Sequence, residues 1–67
     1  MLSSVIQNMV YDEVTATLRI IFLSGMIYDY QHVPSEEYRK MKKSTSKGKY
    51  LNKHIKGNYA FKKIFPN

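Results

Sequence analysis

The 67-residue chain contains no cysteine. Disulfides cannot staple it, and thiolate metal sites are excluded. Its two histidines, His32 and His54, have no second pair of ligands at metal spacing, so neither a structural zinc nor any other cofactor is expected. It also lacks a long apolar run. The longest cluster, Leu18 to Leu23, is interrupted by Arg19 and is far too short to span a bilayer. The start Met1-Leu2-Ser3-Ser4 has neither the basic opening nor the apolar core of a signal peptide. These absences lead to the expectation of a soluble, cytoplasmic protein. One domain, residues 1–67, is expected at this length, with no repeat and no linker. A domain this small buries only about 60% of the surface that its unfolded chain exposes. The core must carry the fold alone, and 43% hydrophobic residues with six Tyr and three Phe can supply it.

The last absence is of acid. From Met1 to Tyr38 there is one cation, Arg19, and five acids: Asp12, Glu13, Asp29, Glu36 and Glu37. From Arg39 to Asn67 there are ten cations and no acid, so the two parts carry −4 and +10 within a total of +6. Like charges at this density repel one another unless something outside the fold compensates. A solvated, solubilising surface explains many lysines, but not the lack of any counter-charge. A polyanion explains both.

Local patterns give an α+β reading. Val5 to Tyr11 forms a first strand of imperfect alternation, and Asp12-Glu13 a polar turn. Thr15 to Phe22 is rich in β-formers and gives a second strand, and Met26 to Val33 a third. The hairpin between them has two possible registers, and a one-residue slip exchanges the faces. A two-residue Ser24-Gly25 turn sets Tyr28 and Tyr30 beside Ile21 and Arg19. A Leu23-Ser24-Gly25 loop, with Gly25 left-handed, sets them beside Ile20 and Leu18. The second register is preferred, because it gathers Leu18, Ile20, Phe22, Tyr28 and Tyr30 on one apolar face and gives Gly25 a purpose.

Val33-Pro34 ends the strand, since proline cannot donate to a ladder. Ser35 is expected as a helix N-cap, with Glu36 and Glu37 in the first turn and Tyr38 and Met41 facing inward as far as about Lys43. Ser44-Thr45-Ser46 breaks this helix. A second helix is expected from Ser46 to near Lys56, with Leu51 and Ile55 as its buried stripe and Gly57 as a left-handed cap. Lys49, Lys53 and Lys56 fall at i, i+4 and i+7, a basic stripe on another face. The segment Tyr59-Ala60-Phe61-Lys62-Lys63-Ile64-Phe65 is either a short fourth strand or an ordered extension. The architecture is thus a three-stranded antiparallel meander followed by two short helices packed on one face, with a short C-terminal strand as an option.

The run Phe22-x-x-Gly25-x-x-Tyr28-x-Tyr30-x-x-Val33-Pro34, then Tyr38, then Ser46-Lys47-Gly48-x-Tyr50-Leu51-Asn52-x-x-Ile55-x-x-x-Tyr59, resembles the KTSC domain. Ser4 and Tyr11 look like that family's entry into the sheet, so the likeness covers nearly the whole chain. The resemblance implies the α+β fold above, a stand-alone bacterial or phage protein with no synthetase body attached, and no catalytic machinery. Because the domain ends some lysyl-tRNA synthetases, it also implies an RNA-binding role. This chain is lysine-rich rather than arginine-rich. Lysine grips phosphate as a point charge, which favours backbone attraction over base recognition.

The candidate nucleic-acid-binding residues are Lys47, Lys49, Lys53, Lys56, Lys62 and Lys63, with Tyr50, His54 and Tyr59 interleaved for stacking or hydroxyl contacts. Ser46 and Gly48 at a helix start offer a phosphate contact, although a serine cap with a glycine for close packing reads the same residues more simply. Tyr28 and Tyr30 are read as core, with buried rings, rather than as a stacking surface. His54, with Asp29 or His32, is not brought together by any sequence pattern, so no enzyme is expected. RNA or another polyanion is the expected partner. An acidic protein surface is the alternative, and head-to-tail self-association fits the opposite polarities as well. An anionic membrane ranks lower, because only Leu51 and Ile55 are available to insert.

Overall fold

A computed structural model describes residues 6–64. Four strands, β1 (Ile6–Asp12), β2 (Thr17–Phe22), β3 (Ile27–Tyr30) and β4 (Phe61–Ile64), form one antiparallel sheet in the order β1-β2-β3-β4. Between β3 and β4 run α1 (Ser35–Lys43) and α2 (Lys47–Tyr50), and α2 continues directly into a π turn, Leu51–Ile55. The C-terminal segment is therefore a strand, paired with β3. Val5 and Phe65, expected in strands, lie outside the described residues.

The hairpin takes the register that its apolar face demands. Leu18 pairs with Tyr30 and Ile20 with Tyr28. Phe22 donates its N–H to Met26 O (2.9 Å), Gly25 donates to Phe22 O (2.9 Å), and Gly25 sits at φ 96°. This is a three-residue loop ending in a left-handed bulge, a position where a Cβ is strained.

β1 extends to Asp12, expected in the turn but paired with Thr17, whereas β2 and β3 are shorter than their β-formers suggest, each for a local cause. β2 starts at Thr17 rather than Thr15, because Ala16 is left-handed at φ 55° and the Thr15 hydroxyl donates to that of Thr17 (2.9 Å). β3 stops at Tyr30 rather than Val33, because His32 turns the chain at φ 56°. Val33 still donates to Ala16 O (2.9 Å), and its own carbonyl accepts from the Tyr11 hydroxyl (2.7 Å). The loop is thereby tied to β1 and to the turn between β1 and β2.

Helix α1 begins at Ser35, but Ser35 does not cap it. Pro34 holds the cap position at φ −64° and ψ 149°, and its carbonyl accepts from the N–H groups of Glu37 (3.0 Å) and Tyr38 (3.3 Å). The proline ring fixes the extended entry, which leaves Ser35 as the first helical residue. The second helix also departs from expectation. Only one turn is α. The N–H of Lys56 then bonds Leu51 O (2.8 Å), five residues back, and Lys56 itself is extended at ψ 132°. Leu51 and Ile55 still face inward, since four-residue spacing suits either helix, and Gly57 is left-handed at φ 83° as expected.

Both helical segments cover one face of the sheet. Leu18, Ile20, Tyr30, Val33, Met41, Leu51 and Ile55 are buried together there, each contributing about 1.5–3 kcal/mol. Tyr11 stacks on Tyr38 with ring centroids 4.9 Å apart and planes at 11°, which joins β1 to α1. Tyr30 is thus core, and Tyr28 is half-buried on the same face. The opposite face of the sheet carries Val10, Arg19, Ile21, Ile27 and Asp29 without a covering helix.

Candidate nucleic-acid interface

The helical segment sets the lysines by its own periodicity. Lys49 and Lys53 are four apart, as are Tyr50 and His54, so each pair stacks along one side of the segment. With Ser44, Thr45 and Ser46 they line a shallow depression of about 300 Å³. Lys49 and Lys53 are exposed, and among the described residues no Asp or Glu lies in ion-pair contact with either of them or with Lys56.

The floor of the depression is held firmly. Tyr50 lies against His54, ring centroids 4.4 Å apart, and donates its hydroxyl to Glu37 Oε2 (2.9 Å). Burial, the hydrogen bond to Glu37 and that carboxylate's charge together push the Tyr50 hydroxyl up to about 12. Tyr59 is raised too, first by burial and then by Glu37. One acid from the N-terminal half, Glu37, is therefore bonded to Tyr50 and raises Tyr59 by its charge. The Tyr50 hydroxyl is engaged in the fold, and the ring of His54, tilted at 36° to that of Tyr50, is the more open of the two.

Ser46 works as a cap. Its Oγ accepts from the Lys49 N–H (3.4 Å), its N–H donates to Ser44 Oγ (3.1 Å), and its carbonyl accepts from the Tyr50 N–H (3.1 Å). Gly48 is buried. The geometry at this step matches the simpler reading, a capped helix start with a glycine at a close-packed position.

The remaining predicted residues fall elsewhere. Lys47 is half-buried, with its Nζ 3.4 Å from Ser44 O. It borders a second depression of about 250 Å³ beside Met9, Tyr38 and Lys42. Lys56 is exposed just past the π turn, where the change of helix type takes it off the expected i, i+7 line. Lys62 and Lys63 point to opposite faces of β4. Lys62 pairs in register with Asp29 on the open face, and Lys63 with Tyr28 on the helix side.

Three contributors were not singled out from the sequence. Thr45 lines the depression around Lys49 and Lys53, Lys42 places its Nζ 5.8 Å from the centre of the Tyr38 ring, and Glu37 anchors Tyr50. The four-residue step from Tyr38 to Lys42 was a readable signal. The Glu37–Tyr50 contact joins two helices and had none.

The acid-base candidates are engaged apart from one another. Asp29 is gripped by Arg19 through two bonds of 2.7 and 3.0 Å, which push the guanidinium's pKa further up. His54 lies on Tyr50, and His32 occupies the left-handed turn after β3. Among the described residues there is no group of three or more His, Cys, Asp or Glu placed to hold a metal, and no helix long and apolar enough to cross a membrane.

Comparison with known proteins matches residues 2–59 to the KTSC domain family model. A crystal structure of a KTSC domain protein from Yersinia pestis superposes with a TM-score of 0.87 at 32% identity, covering 97% of this chain and 92% of that one. The fold is thus nearly the whole of that protein. The chain is also similar to the lysine–tRNA ligase of Nostoc punctiforme, 39% identical over 61 residues, and to that of Trichormus variabilis, 34% identical over 61. These alignments cover 91% of this chain but 11% of either ligase, so the likeness is to one small region of a much longer enzyme. With the family model spanning residues 2–59 and a KTSC structure superposing over nearly the whole of both chains, the chain belongs to the KTSC domain family.

Proposed function

We propose that this chain is a non-catalytic binding module that holds RNA by its phosphates, through the lysine surface of its C-terminal half. The observation that carries the reading is the depression around Lys49 and Lys53, two exposed cations four residues apart with no acid in ion-pair contact among the described residues. Lys56 extends the positive surface past the π turn. Lys62 and Lys63 add charge along β4, on its two faces. Glu37 is bonded to the Tyr50 hydroxyl and makes no ion pair with Lys49 or Lys53 among the described residues.

Two further points support RNA. The ligases that contain a similar region act, by name, on a tRNA. The cations are lysines, which attract a phosphate backbone without the bidentate geometry that reads bases. Catalysis has no support from the arrangement, because Asp29 and His54 are held by separate partners.

Purification from cells at low salt, followed by the 260/280 nm absorbance ratio and sequencing of any nuclease-sensitive material, tests the proposal. Co-purifying RNA that is lost at high salt is expected. Protein free of nucleic acid at low salt would overturn the reading and make the lysine surface a docking face for an acidic protein.

A further inference from the structure

One face of the sheet carries the helical segments, and alternation along the strands sends a second set of side chains to the other. A row on that open face runs Asn8–Ile21–Ile27–Ile64 across all four strands. The next row runs Val10–Arg19–Asp29–Lys62, and Asp12 opposite Thr17 follows it. Three isoleucines therefore stand side by side on neighbouring strands. Each is only half-buried, none of them packs against the buried core, and Val10 in the next row is 49% exposed. The face is not flat, since Val10, Asp12, Arg19 and Ile21 help to wall a depression of about 440 Å³. Apolar side chains aligned in this way stay partly in water unless a second layer covers them.

The charges on this face narrow what the second layer can be. Asp12 and Asp29 stand with Arg19 and Lys62, two negative and two positive, so the face sums to zero on a chain of +6. A polyanion finds no net attraction there, and neither does a strongly acidic or basic protein. A second copy of the chain finds its complement. In a twofold interface every contact occurs twice with the roles exchanged, so a face that holds both signs answers its own acids with its own bases. Two chains of +6 repel as wholes, and a balanced apolar face is where they can approach. Arg19 and Asp29 are already joined by bonds of 2.7 and 3.0 Å, so they enter such an interface as a pair rather than as two uncompensated charges.

We propose that two copies of this chain pack open face to open face about a twofold axis, with Ile21, Ile27 and Ile64 of each at the centre. The product is a two-sheet sandwich with the helical segments outermost, and the inference does not depend on what the lysines of those segments bind. Four strands about 4.8 Å apart make a face only about 15–20 Å across, small beside a standard interface of about 1,600 Å², so the dimer is weak and half-formed near roughly 100 µM.

Sedimentation equilibrium of the full chain, from about 10 µM to about 1 mM, tests the proposal. The average mass is expected to rise from one chain toward two. That rise should hold or steepen at about 0.5 M salt, because the contact is mainly apolar and salt screens the repulsion between the two positive chains. Ile27→Thr keeps a β-branched side chain and the net charge, and the twofold counts the change twice. It should weaken the dimer at least about tenfold. Amide shifts of the native protein, followed over the same concentrations, need no variant and should move at Ile21, Ile27 and Ile64 rather than at Lys49 and Lys53. A native chain that keeps the mass of one copy at about 1 mM overturns the proposal and leaves the face to another partner or to the chain's own ends. Association that salt abolishes, or shifts confined to the lysine side, also overturns it, in favour of pairing between the acidic part of one copy and the basic part of another. So does a folded Ile27→Thr that dimerises like the native protein.

Discussion

Arg19 and Lys53 are both exposed cations on regular structure, but the fold treats them differently. Arg19 lies on the open face of the sheet and grips Asp29 with two bonds, so its charge is answered by the strand beside it. Lys53 lies on the π turn and lines the same depression as Lys49, and no acid among the described residues pairs with it. The same contrast runs through the chain. Acids of the N-terminal half serve the fold: Asp29 holds Arg19, Asp12 Oδ1 accepts from the Val14 N–H, Glu36 and Glu37 favour the start of α1, and Glu37 anchors Tyr50. Among the described residues, the side chains of Lys49, Lys53 and Lys56 serve no comparable contact. Charges used by the fold should matter to stability, and charges unused by it should matter to a ligand.

Substitutions can break or sharpen that contrast. The largest effect is expected in the core both halves share. Leu18→Ala removes a fully buried side chain and should cost about 2–5 kcal/mol in urea unfolding, enough to threaten a domain of this size. Gly25→Ala comes next. A Cβ there meets nothing within 4 Å, but φ of +96° strains it, so a loss of about 1 kcal/mol is expected.

Alkali gives a smaller test of the acid that crosses between the halves. The Tyr50 hydroxyl is raised to about 12 from 10.0, so the folded state favours its protonated form. That contribution is complete below pH 10 and is lost as pH rises through about 12. Tyrosinate absorbance should show several late-ionising tyrosines, of which Tyr50→Phe removes one while Tyr30 and Tyr59 stay late, and an unchanged late amplitude in that variant would misplace the contact with Glu37. Arg19→Ala should then cost no more than about 1 kcal/mol, because the pair is partly exposed and screened by salt. Smallest of all, the combined change of Lys49, Lys53 and Lys56 to Gln should leave urea stability unchanged within about 0.5 kcal/mol or raise it, since it removes repulsion without removing a contact.

Much of the sheet was legible because its signals are local. Gly25 marks the bulge, and the alternation of Leu18, Ile20 and Phe22 against Tyr28 and Tyr30 admits one register with a clean face. The limits of α1 could be read from Pro34 and from the serine-rich break, although the cap was assigned to Ser35 when the proline carbonyl does that work. The π turn was not legible, because Leu51 and Ile55 face inward in either helix and only a backbone bond distinguishes them. The partner of β4 was hidden by distance, since Phe61 meets Tyr30 across both helices. In the candidate site, the grouping of Lys49, Tyr50, Lys53 and His54 follows from helical spacing. The split between Lys62 and Lys63 required knowing that they lie on a strand, where neighbours face opposite ways.

The most direct test of the central claim is the affinity for a single-stranded RNA measured across a range of salt, for the native protein and for the combined Lys49, Lys53 and Lys56 to Gln variant. Each phosphate contact contributes about 0.7 to the slope of log affinity against log salt for a single strand, so the variant should bind more weakly, with a slope shallower by about 2. Native affinity and an unchanged slope in a folded variant would contradict the account and remove the lysine surface as the site.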